Sequence, residues 1–167
     1  SKGGETGVKQ VQMIEGDDVW KALDEGRFSR RLLEAALSRS DTPCGKTDED
    51  GRTQDLLGNG ELPVLVEKPA AYFIEHNDGL KTTLLMLNGA IKDFCFACEA
   101  DGDIVSTQFF LSPTPNVTYS ACLVAKIEEM IETGKAPFPA ERTLIVSGAL
   151  ESCLLYTSDA ADESDRG

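Results

Sequence analysis

Basic residues are scarce in this chain, where 16 Lys and Arg stand against 29 Asp and Glu and leave a formal charge of −13 over 167 residues. A surface of that sign repels phosphate backbones and anionic headgroups at long range, which excludes nucleic acid and membrane surfaces as expected partners. Long apolar runs are missing as well. Stretches such as Leu84 to Leu87 fall far short of the roughly 20 residues that a spanning helix needs. Ser1 to Thr6 contain neither a basic segment ahead of an apolar core nor a transit-peptide pattern, and the chain is expected to begin within a longer protein. The five cysteines, at 44, 95, 98, 122 and 153, are odd in number and scattered. They make no disulfide framework, so a reducing cytoplasm is the expected compartment. No Gly-x-Gly-x-x-Gly occurs, the phosphate-cradling turn that a dinucleotide site requires.

What is present is an ordinary folding composition, 41% hydrophobic and 27% charged, in a length suited to one domain. Gly7 to Glu15 reads as a strand, with Val8, Val11, Met13 and Ile14 among polar residues, ended by Gly16-Asp17-Asp18. Val19, Trp20 and Leu23 then share a helix face before Glu25-Gly26. Ser29 is an N-cap for a second helix, with Leu32, Leu33, Ala36 and Leu37 on its face. Asp41 to Pro63 is polar and Gly-rich without a period, and predicts a long surface loop.

Four strands are predicted next, over Ala70 to Glu75, Leu80 to Leu87, Ile91 to Glu99 and Ile104 to Leu111. They are joined by Asn77-Asp78-Gly79, Asn88-Gly89 and Ala100-Asp101-Gly102-Asp103. Asn-Gly and Asp-Gly supply the positive φ of tight hairpins, so the expected arrangement is an antiparallel meander. Ser112-Pro113-Thr114-Pro115 breaks it. Val117 to Thr133 is helical, with Leu123, Ile127, Met130 and Ile131 on one face and Gly134 as its C′ residue. A further helix runs from Ala140 to about Cys153. The predicted fold class is α+β, an open antiparallel sheet with helices packed on one face.

Four groups could carry chemistry. Cys95-Phe96-Ala97-Cys98 is a C-x-x-C, a zinc or dithiol motif in a loop. In a strand, its spacing puts the thiols on opposite faces, and no second pair completes a ligand set. Asp48-Glu49-Asp50-Gly51 suggests a calcium loop, but aligning Gly51 to the invariant glycine puts Lys46 and Leu57 where acids are required. His76, the only histidine, lies between Glu75 and Asp78 beside a predicted hairpin turn, where a polar cluster is ordinarily solvated. Trp20, Phe28, Phe94, Phe96, Phe109 and Phe110 are expected to fill the core.

Residues Cys153-Leu154-Leu155-Tyr156-Thr157-Ser158-Asp159-Ala160-Ala161-Asp162-Glu163 resemble the in-frame translation of the transposase adapter of tagmentation sequencing libraries. Residues 153–167 are therefore read as a sequencing artefact and a disordered tail, cutting the natural sequence within a helix. They hold four acids and one base, so the remaining 152 residues carry −10 and four cysteines.

Lys126 to Leu144, with its Thr133-Gly134-Lys135 turn, its linker through Pro137 and Pro139, and the helix running to Glu151-Ser152, is similar to the closing region of the glucose-fructose oxidoreductase / inositol dehydrogenase / MocA family. Gly3 to Trp20 and Asp78 to Phe94 resemble a bacterial branch of related proteins. The resemblance covers residues 3 to 152 and implies a C-terminal substrate and oligomerisation domain over 1–152. Its parent would be a two-domain, NAD(P)-dependent oxidoreductase acting on a sugar or polyol-like substrate.

The implied partners are a nucleotide-binding domain missing from this chain and further copies of the chain itself. NAD or NADP would belong to the parent, with no cofactor held here. Glu67-Lys68-Pro69 spells the family's Glu-Lys-Pro, whose Lys is a catalytic candidate in members. Here it precedes the predicted meander, with no nucleotide-domain strands ahead of it, so no role passes to Lys68. The family's Asp and His pattern has no counterpart, and no catalytic, cofactor-binding or metal-ligating residue is assigned. The alternative is a non-catalytic, homo-oligomeric interaction module.

Overall fold

The structure, a computed structural model, describes residues 7–46, 55–110 and 117–164. The candidate calcium loop at Asp48 to Gly51 and the break at Ser112 to Pro115 lie outside them. The chain folds as α+β in the order β1 (Val8–Glu15), α1 (Asp17–Asp24), α2 (Arg30–Leu37), α3 (Leu62–Leu65), β2 (Ala70–His76), β3 (Lys81–Met86), β4 (Cys95–Ala100), β5 (Asp103–Gln108), α4 (Val117–Thr133) and α5 (Ala140–Ser164). The range of α5 takes in residues 153 to 164, the segment expected to be a disordered tail. No described helix is long and apolar enough to cross a membrane.

Local signals in the sequence account for two helix ends and a turn. Ser29 accepts a hydrogen bond from the Leu32 N–H at 3.2 Å and starts α2, satisfying one of the free donors of the first turn. Gly134, at φ 64°, closes α4 by donating its N–H to the Met130 carbonyl at 2.9 Å, the left-handed cap that glycine adopts at least cost. Asp78 holds the β2–β3 turn by accepting the Leu80 N–H at 3.0 Å.

The predicted four-stranded meander is two separate antiparallel sheets, one ordered β1-β2-β3 and the other a β4-β5 hairpin. The reason lies in residues 88–94. Ala90 is fully buried and its carbonyl accepts the Cys44 N–H at 2.7 Å, while the Lys92 N–H donates to Thr42 Oγ1 at 3.0 Å. Backbone groups that a meander would turn toward β3 are spent on the 40–44 segment instead. Asn88-Gly89 is therefore no hairpin turn. Gly89 has φ 107°, and a Cβ there would meet the Leu65 carbonyl. Gly89→Ala is expected to destabilise the fold by about 2 kcal/mol, since both strain and overlap must be relieved. A urea midpoint equal to that of the parent chain would refute this.

The chain divides into two compact units, one of residues 1–13, 72–83 and 112–167 and the other of 14–71 and 84–111. All the buried apolar side chains among the described residues belong to the second unit, with Val19, Leu62 and Val66 the largest that are fully enclosed. Three of them, Leu56, Leu57 and Leu62, lie in the stretch expected to be a surface loop. There Asp55 Oδ1 accepts the N–H groups of Leu57 and Gly58 at 3.1 and 3.0 Å, an Asx turn that turns the leucine pair inward. In the first unit, the expected apolar face of α4 is not covered: Leu123, Ile127, Met130 and Ile131 are all exposed.

Candidate functional site

The β4–β5 hairpin gathers more of the sequence's chemical candidates than any other described element. Its register pairs Cys95 with Gln108, Phe96 with Thr107, Ala97 with Ser106, Cys98 with Val105 and Glu99 with Ile104. Partners across an antiparallel pair share a face. One face therefore carries Cys95, Ala97, Ser106 and Gln108, and α2 packs against the hairpin. Arg39, just past the end of α2, donates from Nε to Ser106 Oγ at 2.8 Å on that inner face. The other face carries Phe96, Cys98, Val105 and Thr107. Phe94 and Phe109 extend it, the Phe109 N–H donating to the Phe94 carbonyl at 2.8 Å.

Asp93 is the polar hub at the open end of the hairpin. Its Oδ2 accepts from Ser40 Oγ at 2.9 Å, the Asp41 N–H at 3.0 Å and Gln108 Nε2 at 2.8 Å, and its Oδ1 faces the Cys95 thiol at 3.5 Å. Burial pushes its carboxyl up, but hydrogen bonds from Ser40, Gln108, Thr42 and the Asp41 N–H outweigh that and hold it below the usual aspartate range. Sequence reading missed this residue, because its partners lie 53, 52 and 15 positions away.

Cys95 and Cys98 stand on opposite faces of β4, so the C-x-x-C cannot converge on one metal or close as a dithiol without breaking the strand. Burial, and next the charge of Asp93, push the Cys95 thiol up to about 11. It is protonated at neutral pH and a poor nucleophile. Among the described residues, no group of three or more His, Cys, Asp or Glu side chains is placed to hold a metal.

His76 Nε2 lies 3.4 Å from Thr82 Oγ1. Its neighbour Glu75 pairs instead with Lys9 across β1 and β2 at 2.6 Å. That hydrogen bond from Lys9, and its charge, hold the Glu75 carboxyl below its ordinary value. Glu67 and Lys68 are exposed ahead of β2, where Pro69 is buried and its carbonyl accepts the Gly16 N–H at 2.9 Å. Of the six aromatics expected in the core only Phe28 is buried; Trp20 is half-buried, and Phe94, Phe96, Phe109 and Phe110 are exposed.

The strand–glycine–helix turn at Glu15-Gly16-Asp17 has one glycine instead of three, and α1 begins with Asp17 and Asp18, which repel a pyrophosphate at the helix N-terminus. Within the first unit, a cavity of about 410 Å³ lies between β1 residues Val8 to Val11 and α5 residues Leu144, Ile145, Gly148, Ala149 and Ser152. It is mixed polar and apolar, and its one charged side chain, Lys9, is already paired with Glu75. No family model matches the chain, and no curated protein or solved structure is similar enough to match it.

Proposed function

We propose that this chain is the substrate and oligomerisation domain of an NAD(P)-dependent oxidoreductase-like cytoplasmic protein, acting beside a nucleotide-binding domain that supplies the cofactor. In that protein the cofactor carries the hydride chemistry, and this domain contributes assembly contacts and one wall of a sugar or polyol site. The observation that carries the reading is the uneven distribution of core. Every described buried apolar side chain is in one unit, while α4 and α5 hold Leu123, Val124, Ile127, Met130, Ile131, Leu144, Val146 and Leu150 exposed. Apolar surface on that scale is the mark of a contact face.

The test is calorimetry and light scattering on the intact chain. NAD(H) titration is expected to give no binding heat, and the chain is expected to associate in a manner weakened by Ile127→Glu and Ile131→Glu on the exposed face of α4. Micromolar NAD(H) affinity, or a clean monomer at high concentration, would overturn the reading. A non-catalytic interaction module is the second reading. It is favoured by the placement of the C-x-x-C, since Cys95 is a protonated thiol against Asp93 and Cys98 stands on the opposite face of β4.

A further inference from the structure

The outer face of the β4–β5 hairpin is an apolar strip bordered by acids. Phe94, Phe96, Phe109 and Val105 are 62, 46, 54 and 52% exposed, together roughly 400 Å² of apolar surface if each phenylalanine spans about 200 Å². That equals the largest patch of a typical monomer, the size at which patches are commonly functional. Charge is distributed along the strip in one direction. Exposed Asp101 and Asp103 stand at the turn, Asp103 on the outer face opposite Ala100, and exposed Lys92 lies at the open end. The inner face is committed to α2 and the Asp93 hub, so the hairpin presents one face only. Two copies meeting here would each bring a net charge of −10 over residues 1–152, a long-range repulsion that such a small patch does little to offset.

We propose that this face binds a cationic amphipathic helical segment of a partner protein. Its apolar side would lie on Phe94, Phe96, Val105 and Phe109, and its Lys or Arg residues beside Asp101 and Asp103. The contact is in the size range of weak, transient interfaces, with affinity in the micromolar range. Aromatic anchors supply most of the binding energy, while the acids supply orientation and salt dependence.

The probe is a labelled 14-residue peptide of Leu and Lys patterned as an amphipathic helix, followed by fluorescence anisotropy with the full chain. The expected result is saturable binding, weakened more than about tenfold by the pair Phe94→Ser and Phe109→Ser. Binding should weaken about threefold with a flatter salt dependence in the pair Asp101→Asn and Asp103→Asn. The second pair alters only exposed positions, and Asn tolerates the left-handed conformation that Asp101 adopts at φ 54°. Three results would overturn the proposal: unchanged affinity in both pairs, equal binding of a Leu and Glu peptide of the same pattern, or a dimer of the chain that Phe94→Ser converts to monomer.

Discussion

Truncating Leu62 to Ala is expected to lower the stability of the second unit by about 3 kcal/mol, the middle of the range for leucine in a closed core. Leu62 is completely enclosed although it opens α3, a helix of only four residues. So short a helix has little stability of its own, and Leu62 is the anchor that keeps it in place. Its N–H donates to the Leu56 carbonyl at 2.9 Å, tying the Asx turn at Asp55 to the start of α3. Losing the side chain removes contacts with surroundings that collapse only in part. Urea unfolding followed by far-UV circular dichroism checks this, with a midpoint about 1 to 2 M lower if the slope is near 2 kcal/mol/M. Val64→Ala in the same helix, at an 81% exposed position, should move the midpoint little. Equal shifts in the two variants would mean that the core does not run through Leu62.

Asp93→Ala is expected to cost about 2 kcal/mol, because three donors converge on one carboxylate oxygen and hydrogen bonds to a charged acceptor are the stronger kind. Partial solvent access to the hub lets water replace some of the loss. Asp93→Asn should cost less, since the amide oxygen can keep part of the set. The carboxyl is held below its ordinary value of 3.8 in the folded chain. Its contribution is therefore complete above that value and lost as pH falls through the lower, folded one. Stability measured from pH 7 to 2 should show the gap between the parent chain and Asp93→Ala closing only below about pH 4. A gap that stays constant to pH 2 would assign the loss to packing instead of charge.

Much of the local structure was legible from residue types alone. Ser29 capping α2, Gly134 ending α4, the Asp78 turn and the Asp101-Gly102 turn are each decided within a few residues by φ preference and side-chain hydrogen bonding. The opposite placement of Cys95 and Cys98 followed from strand geometry in the same way. Leu56 and Leu57 were not legible, because two leucines in a polar run carry no period, and only the surrounding core makes them interior.

The alternation along β4 and β5 was ambiguous for a different reason. Cys95 and Ala97 on one side, and Phe96 and Cys98 on the other, are all apolar, so period two marks the faces without saying which is covered. Only the packing of α2 decides that, and it takes the side with the smaller residues and leaves the phenylalanines outside. The sequence by itself determined α+β character, the start of α2, the end of α4, the Asp78 and Asp101-Gly102 turns and the acidic charge, all consequences of neighbouring residues. Strand partners, the site of the core and the Asp93 hub were decided by tertiary structure, because each depends on groups tens of residues apart competing for the same backbone donors and the same apolar surface.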